Sequence, residues 1–204
     1  IVTGVLSLDD VCLDGRTVLL RVDVNSPLNP DTMEFMDDRR FTEFISTLND
    51  LSSSKVVLIS HQSRPGYLDF TSTEPHSKLL SRLLGRKVGF VSDVCGEDAI
   101  SAIKGMEDGD VLFLDNVRKH EEEISMKRAS PEEMANSEIV RNLSSVIDAY
   151  VTDAFATAHR SSPSLTGFAG EVPCIAGRLM KKEINALRTA VFDPPRPYVV
   201  VLGG

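Results

Sequence analysis

Tryptophan is absent from this 204-residue chain, cysteine occurs only three times, and every apolar run falls well short of a membrane span, which takes ~20 residues. Cys12, Cys95 and Cys174 are odd in number and widely spaced, with no CxxC pair and no matching histidine spacing. That pattern indicates neither a disulfide framework nor a zinc site, and we read the three as buried or inert thiols. The N-terminus lacks the charged-then-apolar layout of a signal peptide, so the expectation is a cytoplasmic protein. Basic residues are also in deficit. The formal charge is -8, which repels nucleic acid and anionic membrane surfaces, so any basic site must be local.

What remains is an ordinary globular composition, 42% hydrophobic and 25% charged, arranged in alternating patterns. Short, nearly continuous apolar runs at 17–24, 55–60, 87–92, 111–115 and 149–153 suit strands buried on both faces. Helical spacing lies between them. Phe41, Phe44, Ile45, Leu48 and Leu51 share one face, as do Leu79, Leu80, Leu83 and Leu84 before a terminating Gly85. Ser130-Pro131-Glu132-Glu133 offers an N-cap, a proline at the first helical position and a capping-box glutamate, and Ile139, Val140, Leu143, Val146 and Ile147 continue the apolar face. The class is therefore α/β with a largely parallel sheet.

A further helix is predicted from Arg178 to Phe192, with Met180, Ile184, Leu187 and Val191 on one face. Asp193-Pro194-Pro195-Arg196-Pro197 then breaks the chain before a last strand-like run, Tyr198–Leu202, and Gly203-Gly204. Such a strand and glycine pair ordinarily opens a phosphate-binding loop and helix, so the sequence reads as the first part of a two-domain protein.

Four of the apolar runs end in small polar or basic clusters: LLRVDVNSP from Leu19, VVLISHQSRP from Val56, VLFLDNVRKH from Val111 and AYVTDAFATAHR from Ala149. In a parallel sheet these clusters share one edge, where open α/β folds bind ligands. His61, Arg64, Arg118, His159 and Arg160 there point to an anionic small molecule. Arg40 stands in the first turn of a predicted helix, where a cation is disfavoured unless it serves a ligand or is neutralised by Asp37 and Asp38. Asp23-Val24-Asn25 lacks the second acid of an aspartyl-phosphate DxD motif and suits hydroxyl groups of a small polyol acid. His120-Glu121-Glu122-Glu123 lacks an i, i+4 histidine pair and reads as a solvated turn with no metal.

In order and spacing, RVDVNSP (21–27), DDRRF (37–41), SHQSRP (60–65), LDNVR (114–118) and DAFATAHR (153–160) together resemble the N-terminal half of phosphoglycerate kinases, and SHQSRP resembles their archaeal branch. AGRLMKKEINAL and VVVLGG resemble the family's interdomain helix and the first strand of its nucleotide domain. The resemblance implies a three-layer Rossmann-like α/β domain, mostly parallel with helices on both faces, over 1–176. An interdomain helix would cover 177–192, and 193–204 would begin an absent C-terminal domain. It implies reversible phosphoryl transfer between MgATP and the carboxylate of 3-phosphoglycerate, with ATP or ADP held by that absent domain and no cofactor expected for this fragment, which would be inactive alone. Asp23 and Asn25 would meet the hydroxyl region, and His61, Arg64, Arg118 and Arg160 would grip the phosphate with His159 close by. Arg40 would face the reacting carboxylate as the catalytic residue. The alternative is a non-catalytic binding module for phosphorylated acids. Three departures from the family pattern stand out: Ser162 replaces a histidine, LENVRF becomes LDNVRK, and Ser26 replaces valine.

Overall fold

The computed structural model describes residues 4–29, 31–32 and 34–201. Six strands, β1 (Thr17–Arg21), β2 (Lys55–Ile59), β3 (Gly89–Val91), β4 (Val111–Leu114), β5 (Ala149–Thr152) and β6 (Cys174–Ala176), form a single parallel sheet in the order β3-β4-β2-β1-β5-β6. The register aligns the strand ends, with Arg21 opposite Ile59 on one side and Thr152 on the other. Chain leaves β1 toward β2 and leaves β5 toward β6, so the connections diverge on either side of the β1–β5 pair. That is the switch point at which open parallel sheets form a ligand crevice beyond the strand C-termini.

Alternation along the strands divides the core into two layers. Val18, Leu20 and Val22 face one way, with Val56, Leu58 and Phe113, and pack under Phe41, Phe44 and Leu48 of α1 (Arg39–Glu43) and α2 (Ile45–Asp50) and Leu80 of α3 (Glu74–Leu84). Leu19, Val57, Ile59 and Leu114 face the other way. Ala99 and Ile103 of α4 (Glu97–Lys104) and Ile139, Val140 and Leu143 of α7 (Glu138–Ser144) cover them. Short α5 (Glu121–Ser125), α6 (Pro131–Ala135) and α8 (Pro163–Thr166) complete that side. This is the three-layer α/β arrangement that the alternating pattern implied.

Two helical expectations need correcting in detail. The face from Phe41 to Leu51 is two helices broken at Phe44 (φ -99°, ψ 4°), because both phenylalanines are driven into the core. The run through Ile147 is likewise divided by Ser137, whose hydroxyl accepts from Val140 N and starts α7 afresh. α4, which buries only Ala99 and Ile103, and the three-residue β6 were not among the expected elements. The capping box at Ser130 and the left-handed Gly85 (φ 63°) after α3 both form as expected.

α9 (Arg178–Phe192) docks by its first turn, where Met180 is buried, while Leu187, Val191 and Phe192 are exposed. Tyr198–Val201 has no strand pairing among the described residues, since no sheet lies beside it; residues 202–204 lie outside them. All three cysteines are free thiols; Cys95 is buried, and Cys12 and Cys174 are exposed. Among the described residues, no helix is long and apolar enough to cross a membrane.

Candidate functional site

A cavity of about 330 Å³ opens at the C-terminal edge of the sheet, lined chiefly by Arg21, His61, Arg64, Arg118, Lys127 and Arg160. Five cationic side chains meet one carboxylate there, Glu123, in a chain whose overall charge is -8. Three larger concavities lie elsewhere among the described residues. One, against α3, mixes Asp37 and Asp38 with Arg39, Lys78 and Arg82, a second, along α4, includes both Glu97 and Lys104, and the third is the apolar flank of α9. None gathers charge of one sign.

Arg21, the last residue of β1, is 1% exposed and anchors the floor of the cavity. Its Nε donates to Ser164 Oγ at 3.2 Å, and Ser164 Oγ in turn donates to Glu123 Oε1 at 2.7 Å. Glu123, 5% exposed, also accepts from Ser162 Oγ at 2.7 Å and from Ser164 N at 3.0 Å. The expectation of a solvated turn at His120–Glu123 is therefore overturned. The segment starts α5, and its third glutamate is the buried counter-charge of the basic cavity.

Arg21 Nη2 lies 3.1 Å from His61 Nδ1. A guanidinium only donates, so Nδ1 accepts and the proton of the neutral ring sits on Nε2. That Nε2 is buried without a hydrogen-bond partner among the described residues, and the ring lines the cavity. Burial first, then the charges of Arg21, Arg118 and Arg160, hold the His61 pKa far below the ordinary imidazole range. The result is a neutral donor ready for an anion.

The loop after β2 is held by strain and hydrogen bonds together. Ser63 adopts φ 56°, unusual for a residue with a side chain. Its N–H donates to Asn25 Oδ1 at 2.8 Å, its carbonyl accepts from Arg118 Nη1 at 2.5 Å, and its hydroxyl donates to Asp69. Three bonds on one strained residue fix the turn that presents Arg64. Asn116 adds a second brace, its amide donating to the carbonyls of Gln62 and Thr71, each at 2.8 Å.

A second, smaller cavity of about 210 Å³ lies at the switch point and is lined by Asp23, Arg40, Glu43, Asp153, Leu179 and Glu183, among others. Arg40 Nη1 pairs with Asp23 Oδ2 at 2.7 Å, while Asp37 pairs with Arg39. The neutralisation weighed for both arginines thus applies to Arg39, and Arg40 reaches across to the end of β1. Asp23 Oδ1 accepts from Asn25 N at 3.1 Å. Asp153 is buried and its pKa is raised by that burial, although it accepts from Thr47 Oγ1 at 2.5 Å and Met180 N at 2.9 Å.

The chain matches the model of the family described as phosphoglycerate kinase over residues 8–204. The chain belongs to the phosphoglycerate kinase family. It is 48% identical over 199 residues to phosphoglycerate kinase 2 of Methanosarcina acetivorans, covering 98% of this chain and 47% of that protein. It is 45% identical over 200 residues to phosphoglycerate kinase of Methanothermobacter thermautotrophicus, with 97% and 48% covered. Among solved structures, phosphoglycerate kinase from Pyrococcus horikoshii superposes with a TM-score of 0.89 at 42% identity, covering 94% of this chain and 47% of that one. The likeness is to archaeal members, and the chain spans about half the length of the curated relatives it matches.

Of the residues singled out in the sequence, His61, Arg64, Arg118 and Arg160 converge on the basic cavity, and Asp23 and Arg40 meet in the smaller one. Asn25 supports the Ser63 turn, and His159 is exposed and lines neither cavity. Ser162, where the family pattern has histidine, turns its hydroxyl to Glu123. Sequence reasoning missed Arg21, Glu123, Lys127 and Thr157. A charge inside the apolar run LLRV was the available signal for Arg21. Glu123 carried none.

Proposed function

We propose that the chain is the N-terminal, acceptor half of a phosphoglycerate kinase, which transfers a phosphoryl group reversibly between ATP and the carboxylate of 3-phosphoglycerate. The observation that carries this reading is the basic cavity, in which five cations and the His61 Nε2–H surround space for one phosphate. Leu165 is the single aliphatic residue lining it, so it offers no shelf for a nucleotide base and does not fit MgATP. The nucleotide would belong to the second domain.

In this proposal Arg21, His61, Arg64, Arg118 and Arg160 bind the remote phosphate of the acceptor. The free Asn25 amide and the Asp23 carboxylate meet its hydroxyl region. The acceptor carboxylate is already anionic and needs no general base; what the site must supply is orientation and positive charge where the phosphoryl arrives. Arg40, now paired with Asp23, is the cation placed for that role as the catalytic residue, and His159 lies near the mouth of the patch. Residues 1–176 would form the acceptor domain, 177–192 the interdomain helix and 193–204 the entry to the nucleotide domain. The exposed Leu187, Val191 and Phe192 on α9 favour a covering partner domain, and closure would then align donor with acceptor. Alone, the chain would lack kinase activity.

The test is calorimetric titration of the chain with 3-phosphoglycerate, with glycerate and MgATP as controls, at two salt concentrations. Binding of 3-phosphoglycerate, weakened by salt and absent for glycerate, is the expected result. Equal affinity for glycerate and 3-phosphoglycerate would remove the phosphate-grip assignment.

A further inference from the structure

Outside the basic cavity, three elements bring unlike ligand atoms together. Cys95 precedes α4, His120 is the N-cap of α5 and Glu138 opens α7. One donor atom from each lies within 4.8 Å of the other two. His120 Nε2 is 3.4 Å from Glu138 Oε2, close to the roughly 3.5 Å edge that ligands share around a tetrahedral zinc ion with bonds of about 2.0–2.3 Å. We propose that Cys95, His120 and Glu138 form a divalent metal site of the zinc class, with Glu122 orienting the imidazole from behind.

The ligand chemistry selects the metal class. A thiolate and an imidazole favour zinc and its neighbours over magnesium or calcium, which take oxygen ligands. The Cys95 thiol is 2% exposed, points into the cluster and makes no hydrogen bond among the described residues. A second unspent group is His120 Nδ1, buried without a hydrogen bond and 3.9 Å from Glu122 Oε2. A small ring shift completes the carboxylate–histidine arrangement that fixes metal-bound imidazoles. Glu122 is itself held, because its Oε2 accepts from Glu138 N at 2.7 Å.

Electrostatics point the same way. Among the described residues, no lysine or arginine lies within 4 Å of the Glu122 or Glu138 carboxylates, whose one side-chain partner of basic type is His120. Access is open through Glu138, whose side chain is 53% exposed. The site also has a place in the fold: His120 ends the 3₁₀ turn Val117–Lys119 that carries Arg118 into the basic cavity, so a metal there ties that turn to α4 and α7.

The test replaces the two exposed thiols, Cys12→Ser and Cys174→Ser, and titrates the chelator-treated chain with Co²⁺ and then Zn²⁺. The expected result is a saturable thiolate-to-cobalt charge-transfer band at one equivalent, bleached by zinc, with zinc raising the thermal midpoint. Adding Cys95→Ser should abolish the band. Glu138→Gln, a largely exposed change that spares the core, should weaken Co²⁺ binding at least tenfold and remove the zinc-dependent rise. Absence of the band in the parent, its survival at full strength in Cys95→Ser, or an undiminished zinc effect in Glu138→Gln would overturn the proposal.

Discussion

Gly177→Ala should unfasten α9 from the sheet, although nothing in its backbone calls for glycine. Gly177 sits at φ -70° and ψ 177°, a conformation open to any residue, so the constraint is space alone. A Cβ there would stand 2.5 Å from Asp153 Cγ, against about 3.5–4.0 Å for ordinary carbon contacts. One group must therefore move by about 1 Å. Asp153 is 1% exposed and bonded to Thr47 Oγ1 and Met180 N, so it cannot swing aside freely. Losing one such bond to a buried carboxylate costs about 1.5–3 kcal/mol and overpacking about 1–3. Because the shift that breaks the bond also relieves the clash, about 2–4 kcal/mol is expected in total. Urea unfolding followed by far-ultraviolet circular dichroism measures it, and repeating the change in an Asp153→Ala background isolates the clash. There the cost should fall below about 1 kcal/mol, since the two residues interact directly. A Gly177→Ala chain within about 0.5 kcal/mol of the parent, or an equal cost in both backgrounds, would refute the argument.

In the two-domain enzyme, Arg40→Ala should lower turnover by about 10²–10³, or about 3–4 kcal/mol in the barrier, with 3-phosphoglycerate affinity kept within several-fold; near-normal steady-state turnover contradicts the role given to it. Arg118→Ala should instead weaken 3-phosphoglycerate binding by about 10–100-fold in calorimetry, and an unchanged affinity removes Arg118 from the phosphate grip. Burial holds the His76 pKa down at about 3, against an ordinary 6.5, so the unfolded chain binds more protons than the folded one between those values and stability falls as the pH drops through that window. From pH 7 to 5 this one group costs about 2 kcal/mol; His76→Phe should lose that much less than the parent over the same interval in urea titrations, and parallel losses would exclude the assignment. Ser130→Ala deletes the capping box of α6 and should cost about 1 kcal/mol in the same assay, with no change read as failure of the cap argument.

β1, β2, β4 and β5 were legible because each is almost wholly buried and so reads as a continuous apolar run bounded by polar clusters. β6, short and exposed at one end, escaped notice, as did the break at Phe44, which arises from packing two phenylalanines against the sheet. For the site, position carried the signal: His61, Arg64, Arg118 and Arg160 each follow a strand, and a parallel sheet brings such segments together. Arg40 stood out as a cation in a helix's first turn, yet its partner Asp23 could not be named, since a contact between α1 and the loop after β1 follows only from the assembled fold. His159 shares the position of Arg160 in the sequence and still lines neither cavity. Glu123 was illegible in principle, as nothing local distinguishes the buried member of three consecutive glutamates.

That buried glutamate explains how an acidic chain sustains so basic a cavity. Arg21 is almost wholly buried and has no direct carboxylate partner among the described residues; it is linked to Glu123 only through Ser164. Burial, and then Arg160, press the Arg118 pKa downward, with Glu123 opposing them. One carboxylate thus lets five cations gather without neutralising them. Replacing it with alanine would leave a buried guanidinium uncompensated, at a cost of about 3–5 kcal/mol. A second carboxylate would neutralise the cavity further and weaken its hold on an anion. The remaining repulsion among the cations would be relieved by a phosphate bound there. Ligand should accordingly stabilise the fold by mass action, because the charge that attracts it is the charge the fold finds hardest to hold.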